Sequence, residues 1–153
     1  MKHKLLILLL VSHVWILFSQ KEILKEDVFL NRTFSQDWVY GLNSMNDGIH
    51  YTTLESGDTI LIKKYSYDSG EKINVLLKSV DINLEFSGYT FNDDESSLLL
   101  EVESEKLYRH STKSFYYLYD FQTKKIKKIS EKKIQLPEFS PNSKYLSYIY
   151  RNN

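Results

Sequence analysis

Cysteine is absent from the 153 residues. That excludes disulfides and thiolate metal sites. A dominant charge is absent too, since Lys plus Arg and Asp plus Glu each total 20. No global field therefore draws the chain to nucleic acid or to an anionic membrane. Gly totals five and Pro two. The sequence holds no Gly-x-Ser-x-Gly elbow, no glycine-rich phosphate loop and no His-Glu-x-x-His pair. Those absences leave the common nucleophilic, nucleotide and zinc chemistries without their residues.

Aromatic residues are plentiful, with 12 Tyr and 8 Phe, which favours strands over helices. The first twenty residues differ from the rest. Lys2 and Lys4 precede an apolar run from Leu5 to Leu17, followed by Phe18-Ser19-Gln20. The pattern is that of a secretory signal peptide over 1–20, cut near Ser19 or Gln20. The run is short of the roughly 20 apolar residues that a membrane span needs, and a retained membrane anchor is the alternative. An exported chain without cysteine suits the periplasm or cell envelope of a bacterium. Residues 21–36 follow as a leading helix and linker. Ile23, Leu24, Val28, Phe29 and Leu30 are spaced for a short amphipathic helix, one that needs a surface to dock on. Asn31-Arg32-Thr33 fits the glycosylation pattern, but the plainer reading is a helix end.

From residue 37 to 153 the helical period disappears. Strand-like runs are predicted at Trp38–Leu42, Ile49–Leu54, Thr59–Tyr67, Lys72–Lys78, Phe86–Phe91, Leu98–Val102, Phe115–Phe121, Lys125–Ile129, Ile134–Phe139 and Tyr145–Tyr150. Polar turn clusters separate them, among them Asn46-Asp47-Gly48, Asn92-Asp93-Asp94 and Ser140-Pro141-Asn142. The turns recur. Leu42, Phe91 and Phe139 each precede a polar turn and a new strand, at intervals of 49 and 48 residues. A second landmark, Tyr67-Asp68 before Ile73, returns as Tyr119-Asp120 before Ile126. A period near fifty, with four strands per unit, predicts β-propeller blades. A β-sandwich would also give ten short strands, but not the repeated turn chemistry. The fold class is therefore all-β, with about two and a half blades of a propeller that closes only in a longer protein.

Few residues are candidates for chemistry. His50 lies in an alternating strand and reads as a core or rim histidine. Asp93, Asp94 and Glu95 sit in a turn without the further ligands that a calcium loop requires. No metal or other cofactor is expected. The pairs Lys124-Lys125, Lys127-Lys128 and Lys132-Lys133 alternate with Ile126, Ile129 and Ile134 as a solvated edge. Nucleic-acid binding would need outward aromatics across a wider basic patch. Arg109 and His110 lie on a polar loop between two strands, where binding residues concentrate. Ile49 to Tyr67 spans 18 positions and Leu98 to Tyr119 spans 21, so about three extra residues surround Arg109. Its planar guanidinium suits carbonyl or carboxylate oxygens. A solvated surface arginine is the competing reading.

The run Leu107-Tyr108-Arg109-His110-Ser111-Thr112, with Tyr117-Leu118-Tyr119-Asp120, resembles the dipeptidyl peptidase IV group of the prolyl oligopeptidase family of serine peptidases. The resemblance extends to Tyr89-Thr90-Phe91, Leu136-Pro137-Glu138-Phe139-Ser140-Pro141 and Leu146-Ser147-Tyr148, and to Ile23–Phe34 with Trp38-Val39-Tyr40. It implies an eight-bladed propeller that caps an α/β-hydrolase domain and releases X-Pro or X-Ala dipeptides from peptide N-termini. By position Arg109 matches the arginine that holds a substrate carbonyl, with His110 a weaker candidate. The resemblance places the paired glutamates and the catalytic triad beyond Asn153, so this chain carries no catalytic residue of its own. Expected partners are peptides with a penultimate Pro or Ala, the hydrolase domain, against which the leading helix packs, and a second copy of the full-length protein. The rival from another class is a non-enzymatic periplasmic propeller that binds or scaffolds partners.

Overall fold

The computed structural model describes residues 23–35, 38–109 and 111–150. The expected signal segment at 1–20 and His110 lie outside them. The chain divides into two compact units, Met1–Trp38 and Val39–Asn153. In the first, helix α1 (Lys25–Phe29) is shorter than the Ile23–Leu30 helix expected. Asp27 accepts the Leu24 N–H at 3.3 Å and the Asn31 side-chain amide at 3.3 Å. Arg32 then turns out of the helix at φ 50°, so Asn31 is a helix-end residue here.

The second unit is built of antiparallel strands. The first sheet comprises β1 (Asn43–Ser44), β2 (His50–Glu55), β3 (Leu61–Ser66) and β4 (Lys72–Lys78), paired in that order. A one-turn helix, α2 (Ser79–Ile82), unexpected from the sequence, leads to the second sheet. That sheet comprises β5 (Gly88–Phe91), β6 (Ser97–Tyr108), β7 (Ser111–Asp120) and β8 (Ile126–Lys128), again in chain order. A hairpin of β9 (Gln135–Phe139) and β10 (Leu146–Ile149) follows. The architecture is a partial β-propeller, two four-stranded blades and a two-stranded piece.

Alternation along β6 explains how the blades join. Leu98, Leu100 and Val102 share one face and pack with Tyr89 and Tyr119 against Leu54, Ile62 and Leu77 of the first sheet. Burying each such side chain contributes about 1.5–3 kcal/mol. The Tyr89 hydroxyl crosses the seam, 2.7 Å from both the Gly41 carbonyl and Thr52 Oγ1.

The expected strand at Trp38–Leu42 does not form. Gly41 sits at φ +59°, and a Cβ there would meet Leu54 Cβ at 2.7 Å. Instead the Tyr40 carbonyl accepts the Leu54 N–H at 2.8 Å, which brings Gly41 against β2. The left-handed backbone favours glycine, and the close approach requires it.

The repeat is realised as one turn made three times, at Met45–His50, Asn92–Ser97 and Ser140–Tyr145. In each, the first N–H donates to the sixth carbonyl, at 3.0, 3.2 and 2.9 Å, and the fourth N–H donates to the first carbonyl, at 3.1, 3.1 and 2.8 Å. The fourth residue is left-handed in all three: Gly48, Glu95 and Ser143. The third residue, Asp47, Asp94 or Asn142, accepts the N–H two positions on, at 3.0, 3.2 and 3.2 Å. Neighbouring turns bond to one another. Asn46 donates to Glu95 Oε1 at 2.5 Å and to the Asp93 carbonyl at 2.6 Å, and Asp93 N–H donates to Ser143 Oγ at 3.2 Å.

These turns correct the landmark alignment. Tyr51 pairs with Tyr65 as Leu98 pairs with Tyr119, so Tyr65, not Tyr67, corresponds to Tyr119. Likewise Ser44, not Leu42, corresponds to Phe91. Each expected match was displaced by two residues, a slip that keeps every side chain on its own face of a strand.

Candidate functional site

The corrected register relocates the insertion. Glu55 pairs with Leu61 where Val102 pairs with Phe115. Five residues bridge the first pair and twelve the second, so seven extra residues, rather than about three, lie between Glu103 and Ser114. They do not form the polar loop expected. β6 and β7 continue as a ladder, Glu105 opposite Lys113, Lys106 opposite Thr112 and Tyr108 opposite Ser111. Arg109, next after the last paired residue Tyr108, stands at the tip of this arm.

The arm changes direction where it leaves the sheet. Glu103 adopts φ 50°, and the register shifts between Val102 and Glu105 and again between Lys106 and Tyr108. These irregularities are β-bulges, which bend a strand and redirect its side chains. Burial changes at the same place: Val102 is buried, and Glu103, Ser104, Glu105 and Lys106 are exposed. Tyr108 is 74% exposed beside the tip. Arg109 is exposed and has no hydrogen bond or ion pair to any described residue. A guanidinium has five N–H donors in a planar fork suited to carbonyl or carboxylate oxygens.

Ion pairs brace the base of the arm. Glu105 lies 3.1 Å from Lys113 across the hairpin and 3.6 Å from Lys133 of the segment entering the third unit. Lys113, then Lys133, hold the Glu105 carboxyl below its ordinary value. Ser114 and Ile134 exchange backbone hydrogen bonds of 3.0 and 2.9 Å, and the Ser114 hydroxyl donates to Glu101 at 2.6 Å. Lys128 sits 4.4 Å and Lys133 5.7 Å from the Phe115 ring centre. The lysine-rich edge is therefore partly engaged, not wholly solvated. The individual lysines gave no signal of this in sequence, because the strand register that brings them to Glu105 and Phe115 spans the misaligned insertion.

A cavity of about 490 Å³ opens near the root of the arm, with Ile60, Phe86, Val102 and Glu103 among its walls. Arg109 does not line it. A second cavity of about 490 Å³ lies at the turn end, where Asn46, Asp93, Glu95, Glu138 and Ser140 from three successive units converge. The turn end and the arm terminate opposite ends of the strands.

The other sequence candidates have internal roles. His50 Nδ1 lies 2.5 Å from Asp47 Oδ2, and that bond, with the backbone donors of the turn and Lys64, pulls the Asp47 carboxyl well below its usual range. Asp94 binds Ser96, and Glu95 binds Asn46. No group of three or more His, Asp or Glu among the described residues is placed to hold a metal ion.

Residues 92–153 match the family described as the dipeptidyl peptidase IV (DPP IV) N-terminal region. The chain is 27% identical to human prolyl endopeptidase FAP over 135 residues, which cover 87% of this chain and 16% of that protein. It is 28% identical to dipeptidyl aminopeptidase B of Saccharomyces cerevisiae over 139 residues, or 91% of this chain and 14% of the other. The crystal structure of Porphyromonas gingivalis dipeptidyl peptidase 4 superposes with a TM-score of 0.69 at 26% identity, over 86% of this chain and 19% of that chain. The chain thus spans less than a fifth of each relative.

Proposed function

The chain is related to the N-terminal region of dipeptidyl peptidase IV-like proteins, and we propose that it is the propeller portion of an exported serine exopeptidase that releases X-Pro or X-Ala dipeptides. The reading rests most on one observation: a seven-residue extension that carries Arg109 at its tip, with no hydrogen bond or ion pair to it among the described residues. Arg109 then supplies charge-assisted hydrogen bonds to a substrate backbone carbonyl, and the blades restrict entry to short or unfolded peptides. Acyl transfer belongs to a hydrolase domain of the full-length protein. This segment contributes orientation and gating, and is inactive alone.

Orientation of a bound peptide lowers the barrier because the reacting carbonyl is held in place before attack. Hydrogen bonds to a charged group are worth about 1.5–3 kcal/mol, so Arg109→Ala in the full-length protein lowers kcat/KM for a Gly-Pro chromogenic substrate by about tenfold to a hundredfold. An unchanged kcat/KM in a normally folded variant refutes the assignment. A full-length product that hydrolyses no penultimate-proline peptide favours the non-enzymatic binding propeller instead.

A further inference from the structure

We infer that Glu105 is a positioning residue: bridging Lys113 and Lys133, it latches the β6–β7 arm to the segment that enters the third unit and so sets where Arg109 stands. The arm has a hinge, a latch and a load. The hinge is the bulge at Glu103, left-handed at φ 50° and flanked by a register shift. Past it, the exposed Glu103, Ser104 and Lys106 add no buried packing that would fix the arm's inclination. The load is Arg109, four residues beyond Glu105.

The latch is built from both sides. Lys113 faces Glu105 in register across the hairpin at 3.1 Å, which squares the carboxylate within the arm. Lys133 approaches from outside the arm at 3.6 Å. Its own backbone is fixed next door, where Ile134, 1% exposed, exchanges two hydrogen bonds with Ser114. The Phe115 ring below Lys133 adds a second restraint on the ammonium group. Among the described residues, the Lys133–Glu105 pair is the one ion pair that joins the arm to the third unit. Glu105 is 51% exposed on its side chain, so the latch is weak, salt-sensitive and reversible. That character fits an arm that must admit and release a ligand.

The latch can be measured without reference to activity; its effect on Arg109 rests on the proposed function. In Glu105→Gln, which keeps the side chain's shape, amide hydrogen exchange across residues 105–113 rises about two- to fivefold at low salt. Exchange at Leu99 and Leu118 does not change. Wild-type protein at high salt shows the same selective rise. Equal exchange in variant and wild type overturns the latch. In the full-length protein Glu105→Gln raises KM about two- to fivefold with kcat unchanged, and adds nothing in an Arg109→Ala background. A purely structural role would instead lower the melting temperature and add to the Arg109→Ala defect. A loosened arm with unchanged KM overturns the positioning role if Arg109→Ala is impaired. If Arg109→Ala is unimpaired as well, the failure lies with the substrate role of Arg109.

Discussion

The first and second sheets share their turns and differ in almost everything those turns hold. Strand for strand, Tyr51, Thr53 and Glu55 of β2 occupy the positions of Leu98, Leu100 and Val102 of β6. In the second sheet this face is the apolar half of the seam between blades. In the first it carries the stacked rings of Tyr51 and Tyr65, 5.3 Å apart, and a Glu55 carboxylate that bonds Lys63 and accepts from Tyr65 at 2.8 Å. The hairpins diverge as well: β2–β3 closes over five residues, and β6–β7 grows an arm. Turn chemistry therefore fixes the repeat, and the faces and far hairpins are free to specialise.

The largest expected effect comes from truncating equivalent residues of the two faces. Leu100→Ala, at a fully buried site, destabilises the chain by about 3–5 kcal/mol, measured by urea unfolding. Thr53→Ala at the matching position costs about 1 kcal/mol or less. Equal losses would mean that the two faces do the same work. Gly41→Ala ranks next, at about 2–3 kcal/mol, because the left-handed backbone and the 2.7 Å approach to Leu54 both oppose a Cβ. Tyr89→Phe follows. It strips the hydroxyl that ties the second sheet to Gly41 and Thr52, at about 1–2 kcal/mol.

The smallest effects concern charge. Asp47, Glu55, Asp94, Glu105 and Asp120 are all depressed in the folded chain, chiefly by hydrogen bonds to His50, Lys63, Ser96, Lys113 and Thr123 respectively. A depressed carboxyl binds protons more weakly folded than unfolded. Its contribution is present above the ordinary values of 3.8 and 4.5 and is lost as pH falls below them. Melting temperature therefore declines from about pH 4.5 downward, and Asp47→Asn makes that decline shallower. Arg109→Ala leaves melting unchanged, within about 0.5 kcal/mol.

Much of this was legible in sequence. Aromatic-rich alternation located nine of the ten strands among the described residues, and polar turn clusters marked off the blades. What escaped has physical causes. Trp38-Val39-Tyr40 reads as a strand until Gly41 is seen to serve a close contact. The arm reads as a loop because Glu103-Ser-Glu-Lys106 is polar on both faces, and such a ladder is held by cross-strand pairing and the ion pairs of Glu105 rather than by an apolar face. Glu95 and Ser143 take a conformation that composition assigns to glycine, as Gly48 does at the same position. A two-residue slip between units is invisible to a pattern whose own period is two. The ion pairs at Glu105 depend on that lost register, so no reading of the charges alone would assemble them.

The linked turns have a consequence for how such a chain can change over time. At that end each six-residue turn is both a strand closure and a bracket for its neighbour, so a single inserted residue would break contacts in two units at once. At the opposite end a hairpin lengthens with no penalty beyond loop closure, which rises only slowly with length. Novelty should accordingly accumulate at one end of the blades while the other stays fixed, much as pages of unequal width can share one binding.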